Sequence, residues 1–253
     1  MSALLESKTA FITGASRGIG ATIAEGLAEQ GANIVVTDVA RQKGELDAVA
    51  AKITAMGRKC LSIVLDVTQK TQVESVVAEA TDHMGQIDIL VNNAGILVPS
   101  KLQDLDEASW DAHFDVNAKG VLLVTNAVLP QMQNRKAGRI INVASIAGRQ
   151  GVPTQGHYAG TKATVITLTR VYSQEVGMDG ITVNAICPGI ILTEMGKNNL
   201  GSQEAIDHWA DIAALKRLGD PNDIIGPAVF FASDLSSFVT GQALNVCGGI
   251  YFD

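Results

Sequence analysis

Cysteine is scarce in this sequence, and its scarcity excludes several kinds of protein. The three cysteines, Cys60, Cys187 and Cys247, are far apart and form no C-x-x-C pair. An odd number of scattered thiols does not indicate a disulfide framework or a zinc knuckle, and it is typical of a reducing compartment. Histidine is equally sparse, and we expect no metal site from so dispersed a set.

Long hydrophobic runs and positive charge are also lacking. No run approaches the roughly 18 apolar residues that a membrane-spanning helix needs. The opening stretch MSALLESKTAFITG contains no charged-then-apolar signal sequence. The net charge of −7 argues against a surface for nucleic acid or membranes. We therefore expect a cytoplasmic protein that binds neither.

Small and β-branched apolar residues are abundant instead. Hydrophobic residues make up 47% of the 253 positions, aromatic residues only 4% and charged residues 18%, which allows a large buried core. Seven short runs read as strands, and most show no in/out alternation, as is typical of parallel strands covered on both faces. The predicted strands are 9–13, 33–37, 60–64, 87–93, 139–145, 181–186 and 243–246.

Helix-period segments alternate with these runs, and no linker or repeat interrupts them. Examples are 17–30, 45–56, 69–83 and 119–134, three of them followed by glycines suited to helix C-termini, Gly31, Gly57 and Gly85. The alternation predicts an α/β fold: a single-domain Rossmann-type doubly wound parallel sheet over residues 1–253. The helical stretch 190–217, inserted before the last strand, is a candidate lid over a substrate.

A glycine-rich turn, TGASRGIG (13–20), follows the first predicted strand. In that context it predicts a dinucleotide site, with the pyrophosphate at the N-terminus of the next helix. Asp38 ends the second strand, where a carboxylate can accept the ribose hydroxyls and repel a 2′-phosphate, so NAD is favoured over NADP. Arg17 and Arg41 count against this, since a guanidinium could pair with a phosphate. An Asp that caps the following turn is the alternative interpretation.

The stretch HYAGTK (157–162) places Tyr158 four residues before Lys162, one above the other on a helix. A tyrosine with a pKa of about 10 is a poor base near neutral pH. A fixed ammonium nearby favours the phenolate and lowers that pKa. Either the pair is an acid/base device or it is an accidental neighbour pair on a surface helix. His157 points about 100° away from Tyr158 on a helix, which favours a surface or subunit-contact role.

A series of motifs occurs in a fixed order along the chain: TGASRGIG, LDV (65–67), NNAG (92–95), VNAKG (116–120), Ser145, YAGTK (158–162) and PGIILT (188–193). With these motifs, the whole chain resembles a short-chain dehydrogenase/reductase. The resemblance implies a catalytic tetrad in which Tyr158 is the general acid/base, Lys162 lowers its pKa and holds the ribose, Ser145 polarises the substrate oxygen, and Asn117 serves a proton relay. Without the family resemblance, Ser145 would be interpreted as a hydroxyl at the end of a strand and Asn117 as a buried amide satisfied by the backbone. The implied cofactor residues, beside Tyr158 and Lys162, are Gly14, Ser16, Arg17, Gly18, Ile19, Gly20, Asp38, Asp66, Val67, Asn92, Asn93, Ala94, Gly95, Pro188, Gly189, Ile191 and Thr193.

Residues after Ser145 or in the 190–217 stretch could line a substrate pocket, although ordinary packing explains each equally well. They are Ile146, Gln150, Val152, Ile190, Met195 and Trp209, to which Ser145 and Tyr158 are added. Helical segments 117–135 and 155–176 are apolar on more than one face, and in family relatives these helices form a subunit interface. We therefore expect a homotetramer, with a dimer as the alternative.

The function expected from this set is NAD-linked interconversion of a secondary alcohol, of the polyol, sugar alcohol or hydroxyketone type, and its ketone. An NADPH-dependent reductase of 3-oxoacyl thioesters is the alternative within the same class. A cofactor-binding protein without turnover is a third and remote one.

Overall fold

The computed structural model describes residues 3–252, and in this part of the chain seven strands form one parallel sheet. Their order is β3-β2-β1-β4-β5-β6-β7, so the chain changes direction across the sheet between β1 and β4. This is the doubly wound arrangement that the sequence predicts. The strands are β1 (Thr9–Thr13), β2 (Asn33–Asp38), β3 (Cys60–Val64), β4 (Ile89–Asn92), β5 (Gly138–Val143), β6 (Ile181–Pro188) and β7 (Ala243–Val246).

Helices connect the strands and cover both faces of the sheet. They are α1 (Gly18–Glu29), α2 (Lys43–Ala55), α3 (Lys70–Met84), α4 (Glu107–Phe114), α5 (Gly120–Arg135), α6 (Ala147–Gln150), α7 (Gly156–Val176), α8 (Glu194–Leu200), α9 (Gln203–Ile212) and α10 (Ile225–Ala232). A π-helical turn, Asp115–Lys119, joins α4 to α5. None of the helices described is long and apolar enough to cross a membrane.

The core has one layer on each face of the sheet, because successive strand residues point to opposite faces. In β1, Ala10 and Ile12 join the layer formed with α1, α2 and α10, whereas Phe11 joins the layer formed with α3, α5 and α7. All three side chains have no exposed surface. Burial on both faces explains why the central runs show no polar alternation.

Two asparagines interrupt this apolar interior at matching positions of neighbouring strands. Asn92 of β4 lies opposite Asn142 of β5 and donates its side-chain N–H to the Asn142 Oδ1 atom at 2.9 Å. Asn92 also donates to Thr125 Oγ1 of α5, and Asn142 donates to Thr169 Oγ1 of α7 at 2.9 Å. Buried amides need such partners. The ladder ties the sheet to the two helices that carry or adjoin the candidate site.

The strands and helices predicted from the sequence are present, and the structure differs from the prediction in where some of them begin and end. β5 ends at Val143, so Ser145 does not end this strand but follows it by two residues. The segment predicted as helix from residue 119 begins at Gly120, after the π-helical turn. Gly31, Gly57 and Gly85 all have positive φ, as expected of residues that end helices.

Candidate active site

The glycine-rich turn lies directly against the end of β4. Gly14 has a φ of +63°, and a Cβ atom there would lie 2.7 Å from Ala94 Cα. A Cβ on Gly20 would clash with the Gly14 carbonyl oxygen and the Asn93 amide. Side chains are therefore excluded where the turn meets β4 and where α1 meets β1. This brings the predicted cofactor residues of the two segments together.

Hydrogen bonds from one threonine and one asparagine hold this junction. The Asn93 side-chain N–H donates to the carbonyl oxygens of Thr13 and Gly14 at 3.0 and 2.8 Å. The Thr13 hydroxyl accepts from the backbone N–H groups of Asn93 and Ala94. Sequence reasoning missed Thr13, although its position as the last residue of the strand before the glycines was a usable signal.

Asp38 is fastened to the same turn from the other side. Its Oδ2 atom accepts from the Ser16 hydroxyl at 2.6 Å and from the Ser16 N–H at 3.2 Å, while its Oδ1 atom accepts from the Val39 N–H. The carboxylate thus caps the turn after β2 and also places a negative charge beside the glycine-rich turn. The turn cap of the alternative interpretation is therefore present, and the contact of Asp38 with a ribose stays a prediction.

The N-terminus of α1 fits a dinucleotide's pyrophosphate. No side chain caps the first turn of this 12-residue helix at Arg17, so its N–H groups and positive dipole end face the turn. Gly18 has a φ of +55°, and a Cβ there would lie 3.3 Å from the Thr193 methyl group. The predicted residues Gly18 and Thr193 are thereby neighbours. A cavity of about 400 Å³ beside them is lined by Ser16, Arg17 and Glu194 among others.

The remaining predicted cofactor residues lie at the same edge of the sheet. Asp66 accepts from the N–H and hydroxyl of Thr68, and Val67 is buried against Gly120. The Pro188 carbonyl oxygen accepts from the Ile146 N–H, and the Gly189 N–H donates to β7. Ile191 is buried, and Ile19 packs against the core layer of α1.

The three side chains proposed for proton transfer meet where α6 and α7 touch. The Ser145 hydroxyl lies close enough to the Tyr158 hydroxyl to lower its pKa. The Lys162 ammonium lies 5.6 Å from the centre of the Tyr158 ring and donates to the Val143 carbonyl oxygen at 2.8 Å. Gly148 of α6 makes the contact possible, because a Cβ there would lie 2.6 Å from the backbone of Lys162.

Desolvation shifts the pKa values of both ionisable groups at this point. Burial raises the pKa of Tyr158 to about 12, and the neighbouring Ser145 hydroxyl opposes this only in part. Burial also lowers the pKa of Lys162 to about 8, since the ammonium is 4% exposed. Desolvation of the phenolate thus dominates the pKa of Tyr158 in the chain alone. That Lys162 lowers this pKa stays a prediction.

Asn117 lies in the π-helical turn and is fully buried. Its amide accepts from the Ile96 N–H at 2.8 Å and donates to the Ile96 carbonyl oxygen at 3.0 Å. Its Oδ1 atom also lies close to Gly95, whose missing Cβ would be 3.6 Å from Lys162 Nζ. The side chain therefore connects the segment after β4 to the Lys162 side of the group.

The predicted substrate residues are spread more widely. Ile146 is buried in a small core cluster with Cys187, whereas Gln150 and Met195 are exposed and Val152, Ile190 and Trp209 are half-buried. The segment 190–217 contains α8 and α9 and is joined to both sides of the site. Arg17 pairs with Glu194 at 2.6 Å, and Gln155 donates to Asn199 at 3.2 Å.

His157 is not on the surface, which contradicts the sequence expectation for it. Its side chain has no exposed area and lies edge-on against His113, with ring centres 4.1 Å apart. The segment after β4 covers it, a contact that helix periodicity alone does not reveal. Within residues 3–252, no group of three His, Cys, Asp or Glu side chains is placed to hold a metal.

Comparison with known proteins gives the class of this site. A family model described as enoyl-(acyl carrier protein) reductase matches residues 14–251. A 3-oxoacyl-[acyl-carrier-protein] reductase FabG of Staphylococcus epidermidis is 41% identical over 245 residues, covering 97% of this chain and 99% of the relative. The chain belongs to the short-chain dehydrogenase/reductase family.

Solved structures of other short-chain dehydrogenases/reductases superpose on this one along their length. A putative short-chain alcohol dehydrogenase from Sinorhizobium meliloti has a TM-score of 0.94 at 34% identity, with 99% of this chain and 98% of that chain covered. A putative gluconate dehydrogenase from Agrobacterium tumefaciens has the same TM-score and coverage at 31% identity. As a short-chain dehydrogenase/reductase, the protein is an NAD(P)-binding oxidoreductase that acts on CH–OH groups.

Proposed function

We propose that the protein interconverts a secondary alcohol, of the polyol, sugar alcohol or hydroxyketone type, and its ketone by hydride transfer with NAD(H). The observation that carries the proposal is that Ser145 and Tyr158 are neighbours, with the Lys162 ammonium 5.6 Å from the centre of the phenol ring. This group lies at the same edge of the sheet as the glycine-rich turn. Substrate oxygen and cofactor can therefore be held within reach of each other.

Each side chain has a defined task in the proposed reaction. In the direction of oxidation, the alcohol O–H proton passes to the Tyr158 oxygen while the C–H hydride leaves the carbon. Ser145 donates to the substrate oxygen and stabilises its negative charge. Lys162 holds positive charge near the ring and Asn117 supports a proton relay to it. The nicotinamide, when bound, accepts or supplies the hydride, and its positive charge in the oxidised form favours the phenolate.

The raised pKa of Tyr158 favours its action as a proton donor over its action as a base. A pKa of about 12 keeps the phenol protonated, which suits a donor to the oxygen of a ketone. Base action in alcohol oxidation then depends on the positive charge brought by the oxidised cofactor. We expect oxidation to accelerate as the pH rises, because more phenolate forms.

Asp38 supports NAD as the cofactor. Its carboxylate is half-buried and fixed by three hydrogen bonds, so it cannot turn away from a ribose held at the end of β2. A 2′-phosphate there would meet this negative charge. Arg17, the nearest cation on the turn, is already paired with Glu194.

A second candidate function is reduction of 3-oxoacyl thioesters with NADPH. The 41% identity to a 3-oxoacyl-[acyl-carrier-protein] reductase favours it. The two candidates share the proton-transfer group and differ at Asp38 and in the lid, α8 and α9.

Two measurements separate the candidates. Fluorescence titration with NADH and NADPH should show at least tenfold tighter binding of NADH, and much tighter NADPH binding would contradict the Asp38 argument. The absorbance of the reduced nicotinamide should then be followed with xylitol, sorbitol, gluconate, meso-2,3-butanediol, acetoin and acetoacetyl-coenzyme A. Tyr158→Phe should lower kcat at least a hundredfold on the best compound. A loss under tenfold is too small for the principal proton carrier.

The same proposal includes a substrate-covering lid at 190–217 and a homotetramer. The ties from Glu194 to Arg17 and from Asn199 to Gln155 support the lid, because they reach both sides of the site. Leu122 of α5 and Val171 of α7 are large apolar side chains left exposed, as a subunit contact requires. Light scattering during size-exclusion chromatography should give four times the mass of one chain.

A further inference from the structure

We propose that His113 and His157 are positioning residues that clamp the main chain of Val98 and thereby hold Asn117 and Lys162 in register for proton transfer. The inference rests on the roles proposed above for Asn117, Tyr158 and Lys162. Neither histidine touches the reacting atoms, and neither is part of the proposed tetrad.

The two histidines bind both backbone polar groups of Val98. The Val98 N–H donates to His113 Nε2 at 3.1 Å, and the Val98 carbonyl oxygen accepts from His157 Nε2 at 3.0 Å. The two rings are 1% and 0% exposed and meet edge to face. A loop residue whose N–H and C=O both end on buried side chains is fixed as firmly as a residue paired in a sheet.

These partners fix the protonation of both rings. His113 donates from Nδ1 to the Ser109 carbonyl oxygen at 2.7 Å, so its Nε2 is the unprotonated acceptor that Val98 needs. His157 must carry its hydrogen on Nε2 to donate to Val98. Burial, followed by the nearby His157, lowers the pKa of His113 despite the bond to Ser109, which keeps it neutral. The hydrogen bonds therefore require a hydrogen on Nδ1 of His113 and one on Nε2 of His157.

The clamp continues a pattern that begins at the proposed relay residue. Ile96 lies two residues before Val98, and the Asn117 side chain holds both of its backbone polar groups, accepting from its N–H and donating to its C=O. Alternate residues of an extended segment point the same way, so Ile96 and Val98 are held by one row of buried side chains. Displacing Val98 would shift Ile96 and Gly95, and Gly95 lies against both Asn117 and Lys162.

The segment is also fastened to the start of the catalytic helix. The Ser100 N–H donates to the Thr154 carbonyl oxygen at 2.8 Å, and Leu102 covers Gly156, where a Cβ would lie 2.6 Å from it. His157 is the next residue of α7 and precedes Tyr158. The clamp therefore couples the segment after β4 to the helix that carries the phenol and the ammonium.

The test compares substitutions that keep or remove the clamp's polar atoms. His113→Gln keeps an acceptor near the Nε2 position, whereas His113→Leu fills the space without one. His83→Leu is the matched control, because His83 makes the same bond to its own helix, to the Glu79 carbonyl oxygen, without holding any loop. His157→Gln and His157→Asn form a second pair, since only the longer amide reaches the Val98 oxygen.

Two readouts are measured on the full-length protein. Hydrogen–deuterium exchange of the Val98 amide, followed in peptides spanning 96–101, needs no substrate. Steady-state kinetics use NAD and the most active compound of the panel named above. We expect His113→Leu to speed exchange of that amide and lower kcat, each at least tenfold, with the KM for NAD within twofold. His113→Gln should stay within threefold of the wild type in both readouts, as should His83→Leu.

Unchanged exchange in His113→Leu would overturn the clamp. An equal loss of kcat in the Gln and Leu variants would overturn the positioning role, because it would mean that the ring's bulk alone is required. If His113→Leu does not fold, the His157 pair decides, with His157→Asn expected to lose activity and His157→Gln to retain it. Undiminished activity of Tyr158→Phe would instead refute the proposed function and leave the exchange result standing.

Discussion

Removing the buried charge of Lys162 should stabilise the protein while it abolishes activity. Burial lowers the pKa of this ammonium from 10.5 to about 8. At about 1.4 kcal/mol per pKa unit, keeping the ammonium charged in the folded chain costs about 3 kcal/mol at pH 7. Lys162→Met has a similar length and no charge. It gives up the hydrogen bond to the Val143 carbonyl oxygen, worth about 1.5 kcal/mol for a charged donor, so a net gain of about 1.5 kcal/mol is expected.

The pH dependence isolates the electrostatic part of this gain. A group whose pKa is lowered by folding destabilises the folded state below its folded value, and the penalty fades as pH rises toward the unfolded value. The advantage of Lys162→Met over the wild type should therefore shrink by about 2 kcal/mol between pH 7 and pH 9.5. Tyr158 does not disturb this window, because its pKa is raised and its effect begins only above about pH 10.

Urea unfolding, followed by tryptophan fluorescence at fixed protein concentration, measures the difference. Lys70→Met is the control, since Lys70 is exposed at the surface and its removal should show no such trend. The same Lys162→Met preparation should lose at least a hundredfold in kcat. A stability difference between Lys162→Met and wild type that does not vary with pH would refute the reasoning about the buried ammonium.

Two further predictions concern the cofactor turn and the buried amide ladder. Gly14→Ala should weaken NADH binding at least a hundredfold in a fluorescence titration, because the new methyl group would meet the backbone at the end of β4. Gly57→Ala, with an equally positive φ but open space around it, should cost about 1 kcal/mol of stability and leave binding unchanged. Asn142→Ala removes the partners of Asn92 and Thr169 and should cost about 2–4 kcal/mol in urea unfolding, whereas a cost under 1 kcal/mol would mean that the ladder is not needed.

Much of the fold is predictable because its signals are local. A β-branched run such as β2 indicates by itself a strand that is buried on both faces. A glycine such as Gly85 indicates the end of a helix, because its backbone adopts a positive φ. The order TGASRGIG, NNAG and YAGTK likewise gives the site's parts, since the carboxyl ends of parallel strands meet at one edge.

The parts that escaped prediction depend on contacts between distant segments. The pKa of Tyr158 depends on desolvation and on the neighbouring Ser145 hydroxyl, which no spacing between Tyr158 and Lys162 encodes. His157 looked exposed because helix geometry describes only its own helix, and the segment after β4 that covers it comes 59 residues earlier at Val98. Asn117 was placed in a regular helix, whereas a π-helical turn redirects its amide.

The lack of a side chain at Gly148 affects how close α6 can come to α7. At this point α6 rests on the main chain of α7 at Lys162 and Ala163, so the spacing between the segment that follows Ser145 and the helix that carries Tyr158 is set by backbone contact. A single methyl group there would act as a spacer and weaken proton sharing without altering any group that carries a proton.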